Sequence, residues 1–284
     1  MRLNTSLDTS AIGLLRLTRV SVYTALLFSF FFFFQGDFAS WLQLMPLSAW
    51  SPVGVTSFMH PLVLLLKAPA TAWIGHLISL LFLASTLACV IGWQWRISSL
   101  TTLILSLVTF GLKNSFGHAF RSESILILAQ FILVLAPFAS GKSVASSFLP
   151  DSKWTLQLLR FLWISMFLLG ALNKLRFSGW AWASENFLQD YLLANQITRA
   201  GTLADRPLAT FAQTLISAPV VTLGLSYFVL LFELLYPLIL FKRLKVPILV
   251  GTVFFQLATF TLLGVNFLFY LPLLPIWLTE KEAQ

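Results

Sequence analysis

Charge is what this sequence has least of. Only 10% of its 284 residues are Asp, Glu, Lys or Arg, against about 25% in a soluble domain. Too few polar side chains remain to coat a water-facing surface, which excludes a soluble enzyme and a disordered chain as first readings. Cysteine is almost missing as well. Cys89 stands alone in an apolar run, so no internal disulfide forms and no Cys-x-x-Cys dithiol chemistry is available. The three histidines, His60, His76 and His118, have no metal-ligand spacing among them, and no metal is expected. There is no His-Glu-x-x-His pair, no Gly-x-Ser-x-Gly elbow, no P-loop and no glycine-rich dinucleotide turn. Gly141-Lys142-Ser143 lacks the upstream glycine of a P-loop and reads as a loop.

What is present is apolar bulk: 58% hydrophobic residues, 28 of them Phe, and a mean hydropathy of +0.87. One spanning helix needs roughly 20 apolar residues, so the length accommodates about eight. The expected fold is all-α, a polytopic transmembrane helix bundle forming a single domain over 1–284, with no repeat and no soluble C-terminal domain. The spans are read at 17–35, 70–92, 97–116, 124–139, 154–175, 219–241, 247–264 and 266–279. Pro272 and Pro275 shorten or kink the last; if the last two form one broken helix, the count is seven. The first helix is read as retained, because Arg16 and Arg19 lie deep in the chain and no small-x-small cleavage site follows closely. Asp37, Trp41, Trp50 and three prolines in 36–68 suggest chain lying among headgroups.

The net charge of +8 fits basic loops that set topology and touch anionic lipid. No basic patch interleaves with aromatics, so no nucleic-acid partner is expected. The pair Arg16 and Arg19 and the basic turn Lys242-Arg243-Lys245 both put the N-terminus inside. The segments 117–123 and 176–218 then share the outer face, with Lys113 and Lys174 at the outer helix ends. Multi-pass insertion follows, with the lipid bilayer as first partner and a periplasm or lumen on the outer face.

Ionisable residues inside spans are costly, roughly 2.5–3.5 kcal/mol each on insertion scales, so the few that occur are the candidates. Lys174 closes the fifth span in Gly170-Ala171-Leu172-Asn173-Lys174. It is either a lysine snorkelling to the interface or a desolvated amine able to act as a base. Gly170 and Ala171, one turn back, leave room for a helix or ligand. Glu233, mid-span in Phe232-Glu233-Leu234, must pair, protonate or face a cavity. Arg160 and Lys174 are its candidate structural partners, and a proton relay or ligand contact is the alternative. Gln256 suits an interhelical hydrogen bond. His118 and Glu123 precede the fourth span, where the amide dipole favours an acid.

The segment 154–193 carries a more specific pattern: an apolar helix with Gly170, Lys174 and Leu175, then Trp180 and Ala183. A second stretch, 232–271, has Glu233, Pro237, Lys242-Arg243, Gly264 and Phe267. Together they resemble the horizontally transferred transmembrane (HTTM) domain family, bacterial relatives of the membrane domain of vitamin K-dependent gamma-carboxylase. The resemblance implies that Lys174 is a base (with Glu233 as its partner) that deprotonates reduced vitamin K or another quinol. Oxygen then turns that quinol into a stronger base. It also implies that Asn173, Trp180, His118, Glu123 and Gln256 are substrate-binding. Asn173 stands where carboxylases have a second lysine, Gln256 where the family has the His of a Phe-His pair, and His118 about a turn before another expected His.

Three functions follow as expectations. The first is an enzyme using a lysine base on a lipid-soluble, quinone-like substrate at an outer-side pocket. The second is a non-catalytic membrane scaffold serving a separate protein partner. The third is a small transporter, which would need the internal repeat or paired broken helices that the sequence does not display.

Overall fold

The computed structural model describes residues 5–49, 59–115, 124–135, 152–184, 188–190, 192, 214–215, 217–259 and 267–278. Regular structure among them is helical throughout. The main helices are α1 (Thr5–Phe34), α2 (Phe38–Leu44), α3 (His60–Lys67), α4 (Ala72–Ile91), α5 (Trp95–Ser115), α6 (Ser124–Leu135), α7 (Ser152–Ser178), α8 (Ala181–Ser184), α9 (Pro219–Leu234) and α10 (Lys242–Ala258). Among the described residues four stretches are long and apolar enough to cross a membrane: Gly13–Leu44, Ala72–Ile91, Trp95–Ser115 and Trp154–Ser178. Two shorter apolar helices, α6 and α9, accompany them. The chain divides into two compact units, Met1–Arg160 with Pro272–Gln284, and Phe161–Leu271. The boundary falls within α7.

In the first unit, α5 shows why this packing suits lipid rather than water. Ser99, Thr102, Ser106, Thr109 and Lys113 recur at alternating steps of three and four, which places them on one helix face, and all five are buried. Ile97, Leu100, Ile104 and Leu107 of the same helix are exposed. A water-soluble helix has the opposite arrangement. Where lipid tails are as apolar as leucine, helices are joined instead by small and hydroxyl side chains. Thr102 makes that joint, its hydroxyl lying 3.0 Å from Ser85 Oγ and 3.6 Å from Cys89 Sγ of α4. Phe30 stacks on Phe82 at 4.5 Å, and Phe110 meets Phe34 and Phe82, which ties α1, α4 and α5 together.

The short helices α2 and α3 pack on α4. Asp37 caps α2, accepting from the Ala39 amide and the Ser40 hydroxyl. Lys67 donates to the carbonyls of Leu42 and Met45 at 2.7 and 2.6 Å, satisfying groups that the end of α2 leaves open. Partial burial holds its pKa below the usual lysine value.

Several expected boundaries move. The first helix starts at Thr5 rather than near 17. The expected sixth span stops at Leu234 and continues as a 3-10 turn over Tyr236–Leu240, because Pro237 has no amide proton to extend the α ladder. Lys242, Arg243 and Lys245 are not a turn but the first residues of α10, which tolerates Pro247 within it. The proline-rich end replaces an eighth α-helical span by a 3-10 run, Phe267–Leu273, and a short helix, Pro275–Leu278. Lys113 does stand at a helix end, in the last turn of α5, and there it is 2% exposed with its Nζ 3.1 Å from the centre of the Phe33 ring.

Candidate functional site

The second unit is organised by α7 and α9. Trp163 Nε1 donates to the Tyr236 hydroxyl, Phe167 stacks on Tyr236 at 3.9 Å, and Gly170 lies against Glu233. Numbers that rise along α7 fall along the partner segment, so the two run antiparallel. The Tyr236 hydroxyl also reaches Thr252 Oγ1 of α10 at 2.9 Å. Phe232 and Phe255 complete the aromatic packing around Phe167. This cluster fixes the end of α9 on which Glu233 sits.

Gly170 gives the carboxylate its room. A methyl group built there would stand 3.6–3.7 Å from the Glu233 carboxyl atoms, in ordinary contact; a longer side chain would occupy the carboxylate's place. Lys174 is four residues further on, on the same face of α7. Its Nζ lies 2.6 Å from both Oε1 and Oε2 of Glu233. The two side chains are only 23% and 9% exposed. Trp182 of α8 covers the amine, with Nζ 4.4 Å from its ring centre, a cation–π contact. Ala171, Ala183 and Leu230 form the buried floor beside them, flanked by Leu175 and Leu234.

The arrangement resolves an open choice at Glu233. Its partner is Lys174; Arg160 instead donates through Nε and Nη2 to the Ile276 carbonyl at 3.1 and 3.0 Å. Desolvating two ions is expensive, and close bidentate contact with a cation–π roof offsets that cost. Breaking such a pair leaves a lone buried charge, which the chain cannot absorb cheaply. The pair also offers chemistry: one amine, one carboxylate and a hydrogen bond along which a proton can shift.

The other expected site residues do not all gather here. Asn173 is exposed, and Trp180 is 58% exposed. Gln256 is buried in α10, with its side-chain oxygen unpartnered. His118 and Glu123 lie outside the described residues. Trp182 is the residue that sequence reasoning passed over. Its signal was the Trp-Ala-Trp triplet at 180–182, from which the first tryptophan was chosen. Among the described residues no group of three His, Cys, Asp or Glu side chains could hold a metal ion. No family model, curated protein or solved structure matches the chain.

Proposed function

We propose that the chain is a multi-pass protein of about eight spans, N-terminus inside, of the HTTM type related to the membrane domain of vitamin K-dependent gamma-carboxylase. On this reading it sits in a bacterial inner membrane and binds a lipid-soluble, quinone-like molecule beside Lys174 on the outer side. The observation that carries the reading is the Lys174–Glu233 contact, 2.6 Å to each carboxylate oxygen, on apolar helices and under Trp182. In a low-dielectric site a proton passed from the amine to Glu233 removes both charges at once. The neutral amine then has a lone pair to accept the hydroxyl proton of a quinol, and the flat Trp182 ring offers a surface for an aromatic ligand. Glu233 holds the proton nearby for return. The exposure of Asn173 and Trp180 on the same segment supports a role for them in contacting a ligand that enters from lipid or the interface.

A second reading has support in the same geometry. Both carboxylate oxygens are taken by a single amine, as in a clamp between two helices, which suits a scaffold serving a separate protein partner. One experiment separates them. Purified wild type and Lys174→Ala are compared in lipid nanodiscs for binding of a reduced naphthoquinone and for oxygen uptake in its presence. The enzyme reading expects saturable binding and uptake in wild type and loss of both in a folded Lys174→Ala. Equal behaviour of the two proteins retires the base role.

A further inference from the structure

A second cationic site lies in the first unit, where α1 passes the turn between α4 and α5. Arg19 is half-buried in α1. Its guanidinium carbon stands 5.3 Å from the centre of the Trp95 ring, and Tyr23 packs edge-on against the same ring at 5.6 Å. Both side chains thereby contact Trp95 from one face of α1. The two terminal nitrogens of Arg19 lie 2.9 and 3.0 Å from where a side chain at residue 92 would begin. Residue 92 is glycine, with φ +88° at the end of α4, a left-handed conformation that favours glycine. The guanidinium is thus positioned by packing on two sides.

What it does not have is an anion. Among the described residues no carboxylate pairs with Arg19, and its Nε is buried with no hydrogen-bond partner. A desolvated guanidinium left so is costly, and the surroundings show what would satisfy it. Arg16 lies one turn earlier on α1, and Arg96 follows Trp95; both are exposed. Ile91, Trp93 and Ile97, in the same stretch of chain as Arg96, are exposed. Exposed apolar and indole side chains beside arginines match the border between acyl chains and headgroups. Arginine is also the side chain that binds phosphate oxygens two at a time.

We propose that Arg19, with Arg16 and Arg96 around it and Trp95 behind it, is a binding site for the phosphate of an anionic phospholipid. The acyl chains of that lipid lie against Ile91, Trp93 and Ile97. The site depends on this end of α1 reaching a headgroup layer and not on any activity at Lys174.

The test uses the full chain in neutral detergent, titrated separately with palmitoyl-oleoyl phosphatidylglycerol, the matching phosphatidylcholine and inorganic phosphate, with thermal unfolding as readout. Phosphatidylglycerol should raise the unfolding temperature saturably, while the other two leave it unchanged. Arg19→Gln should raise the half-saturating lipid fraction about five-fold, the effect of one basic residue near an anionic surface. Arg19→Lys should restore part of that loss. Arg16→Gln, at an exposed position that does not threaten folding, should weaken binding in the same direction. An unchanged titration curve in both Gln variants overturns the site. Equal stabilisation by phosphatidylcholine overturns its anion preference, and equal stabilisation by inorganic phosphate assigns the site to a free anion instead of a lipid.

Discussion

Glu233 and Lys174 are separated by 58 intervening residues, yet their side chains meet because of what is missing at Gly170. The sequence marks both charges as anomalous, since each sits in apolar surroundings where an unpaired ion is costly. It offers Lys174 as one of two partners for Glu233, and the choice between Lys174 and Arg160 rests on helix register that no local pattern encodes. Trp182 was illegible for the same reason: two indoles two residues apart present equal chemistry, and only the packing of α8 on α9 decides which one covers the amine. Gly170 supplies a graded test. Gly170→Ala adds a methyl group in ordinary contact with the carboxylate and should leave thermal stability equal to wild type or raised by up to about 1 kcal/mol through helix propensity. Gly170→Leu should displace Glu233 from Lys174 and cost about 3 kcal/mol or more, the penalty of an opened buried pair. Equal stability of the two variants would show that the carboxylate does not rest on residue 170.

At the level of elements, long apolar helices were the most legible feature, because twenty residues of uninterrupted hydrophobicity have few other uses. The ends were less so. Hydropathy continues through Leu234 into Tyr236–Leu240, so composition extends the expected sixth span where the missing amide proton of Pro237 stops the α ladder. In α10 the reverse occurs. Charge suggested a turn at Lys242–Lys245, but the helix starts there and runs on through Pro247, its sixth residue, at the cost of one α-ladder hydrogen bond. The buried face of α5 was invisible to hydropathy averages, because serine and threonine lower the mean wherever they sit. Only the spacing of Ser99, Thr102, Ser106, Thr109 and Lys113 shows that the polar side faces inward. Gly75 is similar: in sequence it is a small residue before His76, and in the fold any side chain there would begin 2.7 Å from the Ala39 methyl of α2.

Across the whole chain, low charge and apolar bulk determined the class of fold, and the described residues bear out a helical chain with several stretches fit to cross a membrane. Span number rests on apolar length, and orientation on the distribution of basic residues, a statistical bias of the loops rather than a packing requirement. They are open to a direct check. In a Cys89→Ser background, Ser184→Cys should react with a membrane-impermeant maleimide added to the outside of intact cells. Ser143→Cys should react only after the membrane is opened. Outside labelling at 143 would reverse the proposed orientation.

The pairing of Lys174 with Glu233 is the claim on which the functional account depends, and a double-mutant cycle measures it most directly. Unfolding free energies are determined in mixed micelles for wild type, Lys174→Met, Glu233→Leu and the double variant. Each single change should cost about 3–5 kcal/mol by stranding the other charge, while the double variant should return to within about 1 kcal/mol of wild type. Two single losses that simply add in the double variant would contradict the pair.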